Sequence, residues 1–220
     1  MLGHLRSLAA TVFGPIARFL LRHGVSPDAV TVTGTVGVVA AALGLLGTGH
    51  LLAGSLTIAV LALTDSIDGI MARTAGRSGP WGAFLDSTLD RFGDAAIFVG
   101  LVVHLSLRGD DLGAALALAS LVLGSIVPYA RARAEGLGMS ASVGIAERAD
   151  RLALVLVGAF VVGLGAPYLV LDVFLGLLAV ASAVTVGQRM ATVHRQAVPQ
   201  TSAQSPDGDA GPDETSKGSR

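Results

Sequence analysis

The chain has 220 residues, of which 52% are hydrophobic and only 14% charged, and its mean hydropathy is +0.68. That composition excludes an ordinary soluble domain; 15 basic residues against 16 acidic ones, a net charge of −1, give no basis for a nucleic-acid partner. The lack of cysteine removes disulfides and thiolate chemistry, while 29 glycines among Ala, Val and Leu suit closely packed transmembrane helices.

In chain order, Leu2, Leu5, Leu8, Val12, Ile16, Phe19 and Leu20 recur at helical spacing, with Arg6, Arg18, Arg22 and His23 on other faces. This predicts an amphipathic helix over 1–25 lying in the membrane interface. Arg18 and Arg22 interrupt the apolar run and argue against a signal peptide. Residues 26–196 then divide into six apolar segments, 27–47, 51–73, 82–107, 111–136, 146–165 and 168–194, each near the roughly 20 residues that a membrane span needs. The predicted fold class is an all-α integral membrane protein: six transmembrane helices, forming the catalytic domain, preceded by the interfacial helix. Residues 197–220 are rich in Pro, Ser, Asp and Gly with nothing to bury, which predicts a disordered cytoplasmic tail.

Orientation follows from the basic residues. With the N terminus inside, Arg73, Arg77, Arg131, Arg133, Arg148, Arg151 and Arg195 join the N-terminal arginines on the cytoplasmic side, and Arg108 stands alone outside. The expectation is a multi-pass protein of the cell membrane, with both termini and the active site cytoplasmic.

Four carboxylates stand where charge is expensive. Asp65, Asp68, Asp86 and Asp90 lie in or beside apolar segments, and a charge at mid-membrane costs roughly 2.5–3.5 kcal/mol. Asp65 and Asp68 are three apart and Asp86 and Asp90 four apart, so each pair shares a helix face. A short loop makes the two helices antiparallel, so the pairs can converge near the cytoplasmic end. An all-oxygen set without His or Cys favours Mg²⁺ or Mn²⁺, and four carboxylates suffice for two ions, which clamp phosphates when about 3.5–4 Å apart. The bland alternative is capping or salt-bridging, with Arg73 and Arg91 as partners.

The run Asp65-Ser-Ile-Asp68-Gly69-Ile-Met-Ala72-Arg73, eight residues, then Gly82-Ala-Phe-Leu-Asp86-Ser-Thr-Leu-Asp90 resembles the complete signature of the CDP-alcohol phosphotransferases. The resemblance covers residues 1 to about 196. It implies a membrane enzyme that moves a phosphatidyl group from CDP-diacylglycerol to an alcohol and releases CMP. It further implies that Asp65, Asp68 and Asp86 are ligands of two metal ions, Mg²⁺ with Mn²⁺ as the alternative, and that Asp90 both touches a metal and acts as general base. Gly69 and Gly82 then allow close approach of the nucleotide, although helix packing would also explain a glycine. By the same resemblance Ala72 leaves room for cytidine, and Arg73 reaches a diphosphate oxygen or pairs with an Asp of the cluster. Pro27-Asp28-Ala-Val-Thr31 suits a helix cap, and resemblance places Asp28 and Thr31 in the CDP site with Asp68. Asp94, one turn beyond Asp90, reads as a supporting or helix-pairing residue.

The acceptor is read from arginine. Arg131 and Arg133 close the fourth apolar segment, Glu147-Arg148-Ala149-Asp150-Arg151 opens the fifth, and Arg189 lies inside the sixth. Guanidinium forks bind phosphate oxygens bidentately, and an acceptor without phosphate would give them no anion. Positive-inside decoration is the competing account, and it suits Arg133 and Arg148 better than Arg189. The pattern is most similar to actinobacterial family members whose acceptor is inositol phosphate, which implies that Arg131, Arg151 and Arg189 hold the acceptor phosphate. Two departures are Arg131, where those relatives often carry Lys, and Ala149, where they often carry Pro. Glycerol 3-phosphate is the alternative acceptor, and a divalent-cation transporter is the alternative from another class. The expected partners are CDP-diacylglycerol, inositol phosphate, membrane lipids and, by resemblance, a second copy in a homodimer.

Overall fold

Capping residues and glycines punctuate a chain that is otherwise helix. The computed structural model describes residues 13–62, 64–76 and 79–203, the side chains of 64–66 and 199–203 excepted; among the described residues there is no strand. Helix α1, residues 13–22, buries Ala17 against Ile70 and Met71; residues 1–12 of the predicted interfacial helix lie outside the described residues.

Helix α2, Pro27–Ala41, starts where Ser26 Oγ accepts from the Ala29 N–H at 3.2 Å and Pro27 occupies the first turn, in which its missing N–H costs nothing. It continues through a π-helical turn, Ala42–Leu46. Helices α3, Leu51–Ala62, and α4, Thr64–Thr74, occupy the second predicted segment. Then come α5, Pro80–Leu107, α6, Asp111–Glu135, α7, Arg148–Gly163, and α8, Leu169–Ala203. The start of α7 does not need a proline at 149: the Asp150 carboxylate accepts from the Glu147 N–H at 3.1 Å, half of a capping box.

Among the described residues, four stretches are long and apolar enough to cross a bilayer: Pro27–Leu46, Leu51–Thr74, Asp111–Glu135 and Leu169–Val198. Helix α5 has the length, at 28 residues, but carries Asp86, Asp90, Arg91 and Asp94; α7 has 16 residues and opens on Arg148 and Arg151. These charged ends build the site. Helix α8 runs past the predicted end at 194, because Gln196 ties it to the loop before α7. Its Nε2 donates to the Ser140 carbonyl at 2.6 Å and its Oε1 accepts from the Ser140 N–H at 2.9 Å.

The core lies between α3, α5, α7 and α8, where Ile58, Leu101, Leu105, Ala159, Leu171, Leu175 and Leu178 are fully buried. Small residues let backbones touch: a Cβ on Gly100 would collide with the Ala42 carbonyl, and one on Gly163 with the Leu52 backbone. The buried Ser120 hydroxyl donates to the Leu175 carbonyl at 3.0 Å, joining α6 to α8. Outward-facing Val36, Val60, Leu118, Leu177 and Val180 are exposed, as lipid-facing positions should be, because the helices satisfy their own backbone groups. At the end of the bundle remote from the acidic motif, His104 Nε2 lies 3.0 Å from the Tyr168 hydroxyl, and Arg108 stacks 3.7 Å above the Tyr168 ring.

Candidate active site

The opposite end of the bundle holds an open cavity of about 620 Å³ between the start of α2, the end of α4 and the start of α5. Asp28, Thr31, Asp68, Gly69, Ala72, Arg73 and Gly82, all the residues expected to bind the CDP-lipid, line it, and so do Asp86, Trp81 and Arg148. A proline at the first turn of both α2 and α5 brings the two helix starts to this mouth. Asp28 and Thr31 do not cap α2, since Ser26 does. Instead Asp28 Oδ2 accepts from the Trp81 indole at 3.1 Å, and Thr31 Oγ1 donates to Asp68 Oδ2 at 2.7 Å. Asp68 is buried, and the short bond from Thr31 is of the charge-assisted kind that orients a carboxylate.

The two motif glycines face space and not another helix. A Cβ at Gly82 would meet nothing within 4 Å, and one at Gly69 only the tip of Arg73, 3.5 Å away on the same helix. Among the described residues, helix packing therefore does not account for either.

Asp90 lies one turn beyond Asp86, in a smaller recess with Thr35, Asp94 and Arg148. Arg148, which lines both spaces, places Nη2 2.8 Å from Asp90 Oδ1. Asp65 belongs to α4, but its side chain lies outside the described residues. Among the described residues, no three His, Cys, Asp or Glu side chains come together as a ready ligand set.

The three arginines expected to hold the acceptor phosphate differ in their surroundings. Arg151 is buried, its Nη1 donating to the Ala146 carbonyl at 3.3 Å and its Nη2 to Asp94 Oδ2 at 3.4 Å. It faces a second cavity of about 560 Å³ between α5 and α6, shared with Arg91, Ser125 and Tyr129. Arg189 is also buried, donating through Nε to the Val143 carbonyl at 2.8 Å and through Nη1 to the Val127 carbonyl, which pins α8 to α6 and to the loop before α7. Arg131 is exposed and pairs with Glu135 at 2.8 Å. The structure thus brings Arg151 to the acidic helix and keeps Arg131 and Arg189 at other contacts.

Sequence reasoning missed Arg148 and Trp81. Arg148 had a signal: it lies three residues before Arg151, on the same helix face, as Asp90 and Asp94 share theirs. Trp81 had none beyond following Pro80.

A cavity lined by Asp28, Asp68 and Asp86 thus opens at one end of an apolar helical bundle, a polar site in the setting of a membrane protein. The family model of the CDP-alcohol phosphatidyltransferases matches residues 24–187, and the chain belongs to that family. It is similar to the phosphatidylinositol phosphate synthase of Cutibacterium acnes, 47% identical over 203 residues, 89% of this chain and 98% of that one. The enzyme of the same name from Streptomyces avermitilis is 43% identical over 198 residues, 87% of this chain and 81% of its own. Among solved structures, the Mycobacterium tuberculosis phosphatidylinositol phosphate synthase with CDP-DAG bound superposes with a TM-score of 0.80 at 41% identity, covering 84% of this chain and 94% of that one. The same enzyme in complex with manganese and citrate also gives 0.80 at 41%, covering 83% and 88%. Family membership makes the chain an enzyme and removes the cation-transporter alternative.

Proposed function

We propose that this enzyme transfers the phosphatidyl group of CDP-diacylglycerol to inositol phosphate, giving phosphatidylinositol phosphate and CMP. The observation that carries the donor half is the convergence of Asp28, Thr31, Asp68, Gly69, Ala72, Arg73 and Gly82 on one cavity. The acceptor half is supported by the buried guanidinium of Arg151, held against Asp94 of α5, and by the name the similar enzymes share.

The donor chemistry fits hard divalent cations: Asp68 of α4 and Asp86 of α5 line the same cavity and Asp90 lies one turn beyond Asp86 in the adjoining recess, all oxygen ligands. Asp65, Asp68, Asp86 and Asp90 would hold two such ions, Mg²⁺ or Mn²⁺. When bound, they supply neutralisation of the pyrophosphate and of the charge that grows as CMP departs. Asp28, Thr31 and Arg73 orient the nucleotide, and Gly69 and Gly82 admit it to the backbone. Asp90 takes the proton of an inositol hydroxyl; that oxygen bonds to the β-phosphorus as the bond from that phosphorus to CMP breaks. Arg151, with Arg131 and Arg189, holds the acceptor phosphate through charge-assisted bonds.

In this reading the chain has six spans, α5 and α7 being the two with charged inner ends, and a cytoplasmic active site in the cell membrane. An interfacial helix over 1–25 precedes a catalytic domain of 26–196, and because α8 continues to Ala203 the proposed tail begins only after it. The uneven distribution of arginine supports that orientation, and glycine-rich helix faces support a homodimer. The test is CMP release by the purified protein supplied with CDP-diacylglycerol, Mg²⁺ and one acceptor at a time. Release with inositol phosphate is expected; release with glycerol 3-phosphate and none with inositol phosphate rejects the acceptor.

A further inference from the structure

A chain of ion pairs leads from the motif residue Asp90 through Arg148 and Asp94 to Arg151. Arg148, the first residue of α7, divides its guanidinium between two carboxylates of α5: Nη2 lies 2.8 Å from Asp90 Oδ1, and Nε donates to Asp94 Oδ1 at 3.2 Å. The other oxygen of Asp94 accepts from Arg151 Nη2 at 3.4 Å and has Arg91 Nη1 at 3.8 Å. One carboxylate therefore faces three guanidiniums. Its side chain is 16% exposed and that of Arg151 5%, so bulk salt screens the Asp94–Arg151 pair little.

We propose that Asp94 is the internal counter-anion of the acceptor site, the charge that the acceptor's phosphate displaces from Arg151, and that Arg148 conveys this displacement to Asp90. The inference rests on the reading of Arg151 as acceptor ligand and of Asp90 as base. A phosphomonoester brings more charge and more oxygens to a guanidinium than one carboxylate does, and so competes successfully for Arg151; a neutral polyol does not. Asp94 is in this sense a specificity-determining residue, selecting phosphorylated acceptors. It is a positioning residue as well. The guanidinium of Arg148 is a rigid plane, so the hold of Asp94 on Nε sets where Nη2 points and with it the carboxylate of Asp90. Asp94 does not line the donor cavity, which separates its effect from donor binding.

The test uses the full chain in detergent, with inorganic phosphate as probe in calorimetry without donor, and CMP release for kinetics. Asp94→Asn removes the competing charge and the two-sided acceptor. Phosphate should bind about threefold tighter while kcat falls about tenfold, and the KM for CDP-diacylglycerol should stay within about twofold. A merely structural role would weaken binding and turnover together. Arg148→Lys keeps the charge and loses the fork: phosphate affinity should stay within about twofold while kcat falls about tenfold. Unchanged or weaker phosphate binding in Asp94→Asn, or undiminished kcat in either variant, overturns the proposal. If the parent enzyme turns over glycerol 3-phosphate and not inositol phosphate, the acceptor reading fails alone; the phosphate affinities and the kcat with that acceptor still decide the role of Asp94.

Discussion

Replacing Thr31 by Val keeps the shape of the side chain and deletes one hydroxyl. That hydroxyl donates to Asp68 at 2.7 Å and lies 3.2 Å from the Pro27 carbonyl; with a single proton it serves the nearer, charged acceptor. Hydrogen bonds to charged groups are worth about 1.5–3 kcal/mol. Thr31 is half-buried and Asp68 has further interactions, so the lower end applies: about 1.5 kcal/mol, or about tenfold. The loss should appear in kcat/KM for CDP-diacylglycerol, measured as CMP release in mixed micelles at saturating acceptor, because Asp68 lines the donor cavity. Thr31→Ser, which restores the donor, should recover most of it. A Val variant within twofold of the parent, or a Ser variant as poor as Val, refutes the argument that this bond orients Asp68.

Asp90→Asn should abolish CMP release while the protein elutes and melts like the parent; substantial residual turnover removes Asp90 from the role of base. Arg189→Gln should raise the acceptor KM and lower thermal stability together, since the buried guanidinium serves two backbone carbonyls whose loss of a donor costs about 1–3 kcal/mol; a changed Tm with an unchanged KM would leave it only the structural part. Gly163→Ala should destabilise by about 1–3 kcal/mol through overpacking against the Leu52 backbone, read as a lower melting temperature with little change in kcat.

The grouping of residues around the acidic cavity was legible because its information is local. Asp65 and Asp68, and Asp86 and Asp90, declare their shared faces through helical spacing, and the Gly and Pro between 76 and 80 declare the turn that joins them. Relations between helices were not legible. Nothing in the periodicity of α7 says how it is rotated against α5, so Arg148 looked like one more cytoplasmic arginine until its contact with Asp90 and Asp94 was seen. The sequence leaves the cap of α2 open because Ser26, Asp28 and Thr31 are all competent cappers, and only the partners of Asp28 and Thr31 across the cavity show that two of them are otherwise engaged. The length of α8 was underestimated for a similar reason: the residue that anchors its last turns, Gln196, has its partner at Ser140 on a distant loop.

Trp81 is the chain's single tryptophan, and it stands at the mouth of the donor cavity with its indole exposed and bonded to Asp28. The protein's tryptophan fluorescence is therefore emitted from one place. A nucleotide or lipid headgroup entering the cavity changes the polarity around that indole, so emission wavelength and quenching report donor occupancy without a label. Because the signal does not depend on turnover, donor affinity can be followed even in variants that perform no chemistry.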